Sequence, residues 1–308
     1  MLGSDKRGPA DKESVPYLAG PRCLLIWDKL PVGEINMYKM ITSDLDETLL
    51  RADGSISQAN VDAIEAAVSR GVKFVPNTGR SYLTVQALLK QLGLYQTADE
   101  YVISYNGGVV VENAGNQIVI SHAMPYDEAK LAFDTLRQFE TADVHVYTTD
   151  QLYIYRVRAD DEAYFKTRNV TYIPMATPDF SIFKDQTIMK VIAMNPDETV
   201  RHQMFAAIEE AFNGGINVTY SSGIYVEVNH AGVDKGQAVI ELGERLGITP
   251  DEIVAFGDNS NDLAMLTQVG MPVSVANGIP EVQQAAKLVT DADYEDGVAE
   301  GIKKLGLM

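Results

Sequence analysis

Short apolar runs alternate with amphipathic stretches from residue 38 onward, and this alternation limits the possible folds more than any other feature of the chain. Residues 40–43 and 72–76 have the composition of buried strands. Between them, Ser57 is a typical N-cap and Gly71 a typical stop signal for a helix. A second helix is predicted near 82–92 and a third strand at 101–105. Strands separated by helices in this way favour a parallel sheet with helices on both faces.

The alternation breaks after residue 108 and returns after about residue 222. Residues 109–111 and 118–120 flank a turn and predict a β-hairpin. Strand-like runs then follow in series between two helical stretches near 127–139 and 197–212, which is typical of a separate α+β unit. After it, residues 235–246 predict a helix closed by Gly247.

These patterns predict an α/β protein of two parts. A Rossmann-like, doubly wound parallel-sheet core comprises residues 37–120 and 223–308, and an inserted α+β cap comprises residues 121–222. Residues 1–36 are rich in Gly, Pro and charge and have no clear periodicity. We expect them to be a poorly ordered extension, which was either added to the native chain or translated from upstream of a start at Met37 or Met40. A contact with a partner is the alternative.

Charge and cysteine content exclude several functional classes. The formal net charge is −18, which disfavours contact with a nucleic-acid backbone. The single cysteine, Cys23, allows no internal disulfide, which fits a cytoplasmic protein. No apolar run approaches the roughly 20 residues that cross a bilayer, so we expect no membrane contact. An anionic substrate on so acidic a protein needs a metal or a local cation.

Four polar clusters fall at the predicted ends of strands or at the start of a helix: residues 44–48, residues 78–80, Lys235 and residues 258–262. Ligands of open α/β sheets bind outside the carboxyl ends of the strands. Aspartates gathered there stay ionised only with a cation among them, and carboxylate oxygens suit Mg²⁺. The clusters therefore predict a magnesium site.

The same residue types suit phosphoryl transfer. The carboxylate of Asp44 can attack phosphorus, and Asp46 can protonate the leaving oxygen and later deprotonate water. Lys235 and Mg²⁺ would neutralise charge on the transferring group, while the hydroxyl of Thr78 and backbone amides would position it.

The four motifs, Asp-Leu-Asp-Glu-Thr at 44–48, Thr-Gly-Arg at 78–80, Asp-Lys-Gly at 234–236 and Gly-Asp-Asn-Ser-Asn-Asp at 257–262, resemble those of the haloacid dehalogenase superfamily. The large insertion between the second and third motifs is similar to that of Cof-type phosphatases with a C2 cap. The resemblance covers nearly everything from Met37 to the C-terminus. It implies a Mg²⁺-dependent phosphatase for small phosphorylated metabolites, such as sugar phosphates or phosphorylated cofactors.

The resemblance also implies a role for each matching residue. Asp44 would be the nucleophile and Asp46 the general acid and base. The metal would be held by the Asp44 carboxylate, the Asp46 carbonyl and Asp258, with Asp262 close by. Phosphate would be bound by the following residues: Leu45, Thr78, Gly79, Arg80, Lys235 and Asn261. Arg80 and Asn106 would lie near the entrance, in reach of the substrate or the cap.

Two positions depart from the family pattern. Glu47 stands where the family usually has glycine, which puts an anion beside the catalytic loop. Ala-Asn-Gly at 276–278 replaces the more usual Gly-Asn-Ala, so no role is carried over to Asn277.

Other functions stay open at this point. A phosphomutase or phosphotransferase could use the same aspartates, with a sugar hydroxyl as acceptor. A non-catalytic metabolite-binding module is the alternative from another class, although it would need no nucleophile. No glycine-rich G-x-G-x-x-G turn follows a strand, which argues against a dinucleotide-binding oxidoreductase. The histidines have no metal-ligand spacing and are expected in surface or core roles, with His230 near enough to the cleft to reach it. We expect a monomer or homodimer.

Overall fold

A computed structural model describes residues 38–168 and 170–308, so the predicted N-terminal extension lies outside the described residues. The core contains a five-stranded parallel sheet in the order β14-β13-β12-β1-β2. Its strands are β1 (Met40–Ser43), β2 (Lys73–Pro76), β12 (Ile253–Gly257), β13 (Met271–Ser274) and β14 (Leu288–Val289).

Helices cover both faces of this sheet because its strands are apolar on both sides. On one face, Ile41, Phe74 and Phe256 pack with α1 (Gln58–Ser69) and α9 (Gly297–Lys304). On the other, Met40 and Ala255 pack with the following helices: α6 (Lys235–Leu246), α7 (Leu263–Leu266) and α8 (Pro280–Ala285). The predicted doubly wound core is confirmed.

Two predicted core elements differ in detail. β3 (Tyr101–Ser104) was expected in the parallel sheet, but it forms a three-stranded antiparallel sheet with β4 (Val109–Glu112) and β5 (Gln117–Ser121). One parallel bridge between Asn77 and Ile103 joins it to the core sheet. The helix predicted near 82–92 is a 3₁₀ turn followed by α2 (Gln86–Gln91).

The insertion is a six-stranded sheet in the order β10-β11-β9-β6-β7-β8, antiparallel except for the last pair. Its strands are β6 (Asp143–Thr148), β7 (Leu152–Tyr155), β8 (Ile173–Met175), β9 (Ile188–Met194), β10 (Asn217–Ser221) and β11 (Tyr225–Asn229). Apolar side chains on one face pack against α3 (Tyr126–Leu136) and α5 (Glu198–Phe212). The opposite face is mixed: Lys190 and Glu227 contact the core, while Leu152 and Ile154 pack with Phe165 of α4 (Ala159–Arg168).

The boundary that we predicted at residue 222 falls between two paired strands, because β10 and β11 form one hairpin of the cap sheet. We place the return to the core after Asn229. The turn that joins these two strands, at 222–223, has both Ser222 and Gly223 at positive φ. In the described ranges, no helix is long and apolar enough to cross a membrane.

Candidate active site

The loop after β1 presents Asp44 and Asp46 at the carboxyl edge of the core sheet. Its course is set by backbone bonds: the Asp44 amide donates to the carbonyl of Phe256 at 3.0 Å, and the Leu45 carbonyl accepts from the amide of Leu49 at 3.0 Å. The Asp44 side chain is 7% exposed, whereas that of Leu45 is fully buried in the core. Any contact of Leu45 with phosphate must therefore come from its backbone.

Glu47 explains why glycine suits this loop. Its φ is 63°, in the left-handed region where a side chain is strained, and its side chain is exposed but near enough for its charge to raise the pKa of Asp258. Asn277, to which we assigned no role, holds the loop: its Nδ2 donates to the Glu47 carbonyl at 2.8 Å, and its Oδ1 accepts from the Tyr294 amide at 2.9 Å.

We expect Glu47→Gly to raise the free energy of unfolding by about 0.5–1 kcal/mol, because glycine adopts this φ without strain but loses more entropy on folding. Urea denaturation at pH 7 measures the change. Glu47→Gln removes the charge and keeps the side chain, so it should leave stability within about 0.5 kcal/mol of wild type. Equal gains in both variants would show that charge repulsion, and not backbone strain, is what glycine relieves.

Lys235 lies between two buried aspartates. Asp234 caps α6 through a bond from the Gln237 amide, which fixes Lys235 as the first residue of the helix. Its Nζ donates to Asp44 Oδ1 at 2.5 Å and to Asp262 Oδ1 at 2.7 Å, and the lysine is fully buried. Burial alone would lower the pKa of Lys235, but Asp262 and Asp44 raise it above its ordinary value, so the lysine is charged.

Asp262 holds the loop after β12 in place and is also a possible metal ligand. Besides binding Lys235 through Oδ1, it accepts through Oδ2 from the amides of Asp258 at 3.0 Å and Asn259 at 3.1 Å. These bonds fix the loop after β12. Because both of its oxygens are engaged, Asp44 and Asp258 are the more available donors.

Thr48 is a site residue that the sequence analysis assigned no role. Its Oγ1 donates to Asp258 Oδ1 at 2.6 Å, and the threonine is fully buried. Burial and the charge of Asp262 raise the pKa of Asp258 to about 7, against the lowering effect of Thr48 and Lys235. A hydroxyl two residues beyond the Asp-x-Asp pair was the only signal in the sequence.

The donor set fits a divalent cation. Carboxylate oxygens of Asp44, Asp258 and Asp262 lie within 4.8 Å of one another, and all three residues are buried. Burial raises the pKa of Asp44 well above its ordinary value, Lys235 lowers it, and the neighbouring aspartates raise it further. With all three ionised and Lys235 charged, the group carries a net charge of about −2, which one Mg²⁺ would neutralise.

The second motif lies beside the first. Thr78 is buried, and its Oγ1 accepts from the Arg80 amide at 3.1 Å. The guanidinium of Arg80 forms an ion pair with Asp46, with Nε donating to Oδ2 at 2.8 Å. We expected Arg80 at the entrance; it contacts the candidate general acid instead. A Cβ at Gly79 would lie 2.9 Å from Asn106 Oδ1, so a larger residue there would displace the Asn106 side chain.

The cap contacts the second motif through a buried ion pair. Lys190 of β9 donates to Glu227 of β11 and to the Gly79 carbonyl, each at 2.8 Å. Asn106 donates to the same Glu227 at 2.9 Å. Burial alone would raise the pKa of Glu227, but the charge of Lys190 and the hydrogen bonds that Glu227 accepts lower it. This carboxylate is therefore ionised.

A cleft of 360 Å³ lies between core and cap, beside Lys235. Asn261 of the fourth motif lines it from the core, together with Asn106 and Ser260. The cap contributes three polar residues whose place in the cleft could not be identified from the sequence: Asn217, Thr219 and Asn229. His230 binds Glu128 at 2.6 Å through Nδ1.

Comparison with known proteins agrees with this arrangement. The family model for haloacid dehalogenase-like hydrolases matches residues 41–302. YxeH of Bacillus subtilis, which is provisionally named a phosphatase, is 33% identical over 88% of this chain and 99% of its own length. YcsE of the same organism, named a 5-amino-6-(5-phospho-D-ribitylamino)uracil phosphatase, is 28% identical over 86% of this chain and 94% of its own.

A solved haloacid dehalogenase-like hydrolase from Bacteroides thetaiotaomicron has the same fold. It superimposes with a TM-score of 0.76 and 24% identity, and the match covers 87% of this chain and 99% of that one. The resemblance inferred from the four motifs is confirmed, and the chain belongs to the haloacid dehalogenase-like hydrolase family.

Proposed function

We propose that this protein is a Mg²⁺-dependent phosphatase that hydrolyses small phosphorylated metabolites through a phosphorylated Asp44. The observation that carries the proposal is the position of Asp44, a buried carboxylate bound to Lys235, and this fully buried lysine borders the cleft. A carboxylate attacks phosphorus only if its charge is maintained, and the Lys235 contact serves that purpose. Relatives named as phosphatases support the same reaction.

The reaction would proceed in two displacements. In the first, an Asp44 oxygen attacks phosphorus, the bond to the leaving oxygen breaks, and Asp46 gives that oxygen its proton. In the second, water attacks phosphorus, Asp46 takes the proton of the water, and the bond between Asp44 and phosphorus breaks. Orthophosphate and free Asp44 result.

Asp44, Asp258 and the Asp46 carbonyl would hold the Mg²⁺, with Asp262 beside them. When bound, the ion neutralises negative charge on the carboxylates and on the transferring phosphoryl group. Thr78, Asn261 and Lys235 would orient the phosphoryl oxygens.

Arg80 bears on the role of Asp46, because its guanidinium occupies the carboxylate that would have to contact the leaving oxygen. A substrate phosphate offers Arg80 a second anion. We propose that phosphate binding draws Arg80 away from Asp46, so that the Asp46 side chain is free to contact the leaving oxygen.

The substrate is proposed to be small and rich in hydroxyl groups. A cleft of 360 Å³ is within the range for metabolite-sized ligands. Four asparagines, Thr219 and Ser260 in its wall offer hydrogen bonds to hydroxyls. Sugar phosphates and phosphorylated cofactors with a sugar or ribityl chain have that chemistry. From sequence alone we further propose a cytoplasmic monomer or homodimer that does not bind nucleic acid.

Release of orthophosphate from a panel of sugar phosphates and phosphorylated cofactors tests this function, with Mg²⁺ or with a chelator. We expect turnover of at least one sugar phosphate or ribityl phosphate, lost with the chelator and restored by Mg²⁺. Phosphate transfer to an added sugar without net release would favour the transferase alternative. No release and no transfer with any compound would contradict a catalytic role.

The hydroxyl of Thr48 should tune the affinity for Mg²⁺. We expect Thr48→Val to weaken Mg²⁺ binding about 10–100-fold, because Asp258 loses the hydrogen bond that orients it. Titration of phosphatase activity with Mg²⁺ measures the change. Thr42→Val is the matched control, since Thr42 is also fully buried but its hydroxyl has no hydrogen-bond partner. An unchanged Mg²⁺ requirement in Thr48→Val would remove Thr48 from the site.

A further inference from the structure

A second cluster of ionisable side chains lies inside the cap, apart from the active site. Asp143 and His145 alternate along β6 and so lie on one face of the sheet, and Asp161 of α4 lies against them. All three side chains are fully buried. His145 Nε2 is 2.8 Å from Asp161 Oδ2 and 3.3 Å from Asp143 Oδ1. The ligand atoms lie within 4.8 Å of one another.

The orientation of His145 is unusual for an ion pair. Although both carboxylate oxygens are close, neither lies where an N–H on Nε2 would donate a hydrogen bond, and Asp143 Oδ1 and Asp161 Oδ2 have no other donor. His122 and His230 behave differently, since each forms a regular hydrogen bond of 2.6 Å with a glutamate. Nε2 is thus buried beside two carboxylate oxygens without a hydrogen bond to either, an arrangement that a shared cation would satisfy.

The rest of the cluster holds the two carboxylates in place. The Tyr225 hydroxyl donates a hydrogen bond to Asp161 Oδ1 at 2.5 Å, and the Arg158 backbone amide donates one to Asp143 Oδ2 at 3.3 Å. One oxygen of each aspartate is thus engaged, and the other faces Nε2. Hydrogen bonds that fix the orientation of metal-binding carboxylates are the usual outer shell of a metal site.

Charge balance also favours a divalent cation. Aromatic rings surround the imidazole, with Phe165 at 5.6 Å and Tyr225 at 5.8 Å between ring centroids. With a protonated imidazole, the two carboxylates leave a net charge of about −1 on the buried cluster, and the nearby Arg158 offsets it only in part because its guanidinium pairs with Asp160. A divalent cation bound to two carboxylates and a neutral imidazole has a net charge of zero.

We propose that Asp143, His145 and Asp161 form a structural site for a divalent transition metal of the Zn²⁺ type. One imidazole nitrogen with two carboxylate oxygens suits such an ion, whereas the all-oxygen set at Asp44 suits Mg²⁺. The three residues come from two elements, so the metal would join α4 to β6. Sequence spacing gave no sign of it, because Asp161 is distant along the chain.

This site would stiffen the cap close to the substrate cleft. The His145 ring lies 6.3 Å from that of Tyr147, on the same face of β6. Tyr147 in turn lies against Lys190, whose Nζ is 5.0 Å from the ring centroid and donates to Gly79 of the second motif. Tyr147 and Lys190 therefore connect the proposed metal site to the contact between cap and core.

Zinc binding by the full chain tests the proposal, in an Asp258→Asn background that disables the catalytic cluster. Titration against a chromophoric chelator at pH 8 should give one Zn²⁺ per chain. We expect Asp161→Asn in that background to weaken binding by at least about 100-fold, since a direct ligand is lost. His122→Gln removes another histidine paired with a carboxylate and should change nothing. Unchanged affinity in a folded Asp161→Asn protein would overturn the proposal.

X-ray absorption at the zinc edge decides the matter without altering the cap. In the Asp258→Asn protein loaded with one equivalent, we expect one imidazole nitrogen and carboxylate oxygens at about 2.0–2.2 Å. Absence of bound zinc, or a spectrum without a histidine ligand, would contradict the site. In that case the His145 imidazole would be protonated between the two carboxylates. Burial lowers the pKa of His145, but Asp143 and Asp161 raise it to about 9.

Discussion

Replacing Asp44 with asparagine should lower the rate of phosphate release by at least about 10⁴-fold, the scale on which removal of a covalent nucleophile acts. The amide keeps the size of the carboxylate but cannot form the phosphorylated intermediate. Steady-state release from the best compound of the substrate panel, at saturating Mg²⁺, measures the effect.

Folding of the Asp44→Asn protein should be nearly unaffected. Lys235 keeps Asp262 as a partner, and one of three crowded carboxylates is gone, so we expect an unfolding free energy within about 1 kcal/mol of wild type. Asp53→Asn, an exposed change in the following turn, is the control for turnover. If Asp44→Asn retained a tenth of the wild-type rate, Asp44 could not be the nucleophile.

Lys235→Met should damage both stability and activity. It leaves Asp44 and Asp262 buried without their cation, and breaking a buried pair in this way costs about 3–5 kcal/mol. We expect that loss in urea denaturation of the metal-free protein at pH 8. Phosphate release should also fall by at least about 10²-fold, because the transferring group loses a positive charge.

The double variant Lys235→Met with Asp262→Asn separates the two effects. It removes one uncompensated charge, so part of the lost stability should return while activity stays low.

The pH dependence of the stability defect in Lys235→Met has a defined sign. Burial raises the folded-state pKa of Asp44, so the ionised form is disfavoured on folding, and the defect of Lys235→Met should shrink as the pH falls and Asp44 takes up a proton. A stability loss below about 1 kcal/mol would show that Lys235 does not compensate buried charge.

The parallel core could be predicted from sequence because its signals are local. Each strand is a short apolar run, and Ser57, Gly71 and Gly247 have the backbone roles expected of caps and stops. Polar residues directly after β1 and β12 necessarily share one edge of a parallel sheet, where Ser43 pairs with Phe256. The first and fourth motifs therefore meet at this edge, whereas Lys235 reaches them from the start of α6.

The cap was harder to predict because its strands pair over long distances and one face of its sheet is partly polar. Glu227 and Lys190 are buried and charged within strands, where a sequence pattern indicates solvent exposure. They are stable there only because they pair with each other and with Gly79 and Asn106. Nothing local in the sequence reports such a pairing.

Side-chain contacts within the site show the same limit. The motifs predicted which aspartates gather, but the contact of Arg80 with Asp46 and that of Thr48 with Asp258 depend on how two loops face each other. Asn277 holds the catalytic loop although its own motif departs from the family pattern. Such contacts join residues distant in sequence, and only the packed structure reveals them.

The stereochemical course at phosphorus tests most directly whether Asp44 carries the phosphoryl group. Hydrolysis of a p-nitrophenyl phosphorothioate that is chiral through ¹⁸O, in water enriched in ¹⁷O, yields a chiral thiophosphate whose configuration can be determined. Two in-line displacements, the first by Asp44 and the second by water, should give retention of configuration. Inversion would mean that water attacks the substrate directly, and it would contradict the covalent mechanism proposed for this protein.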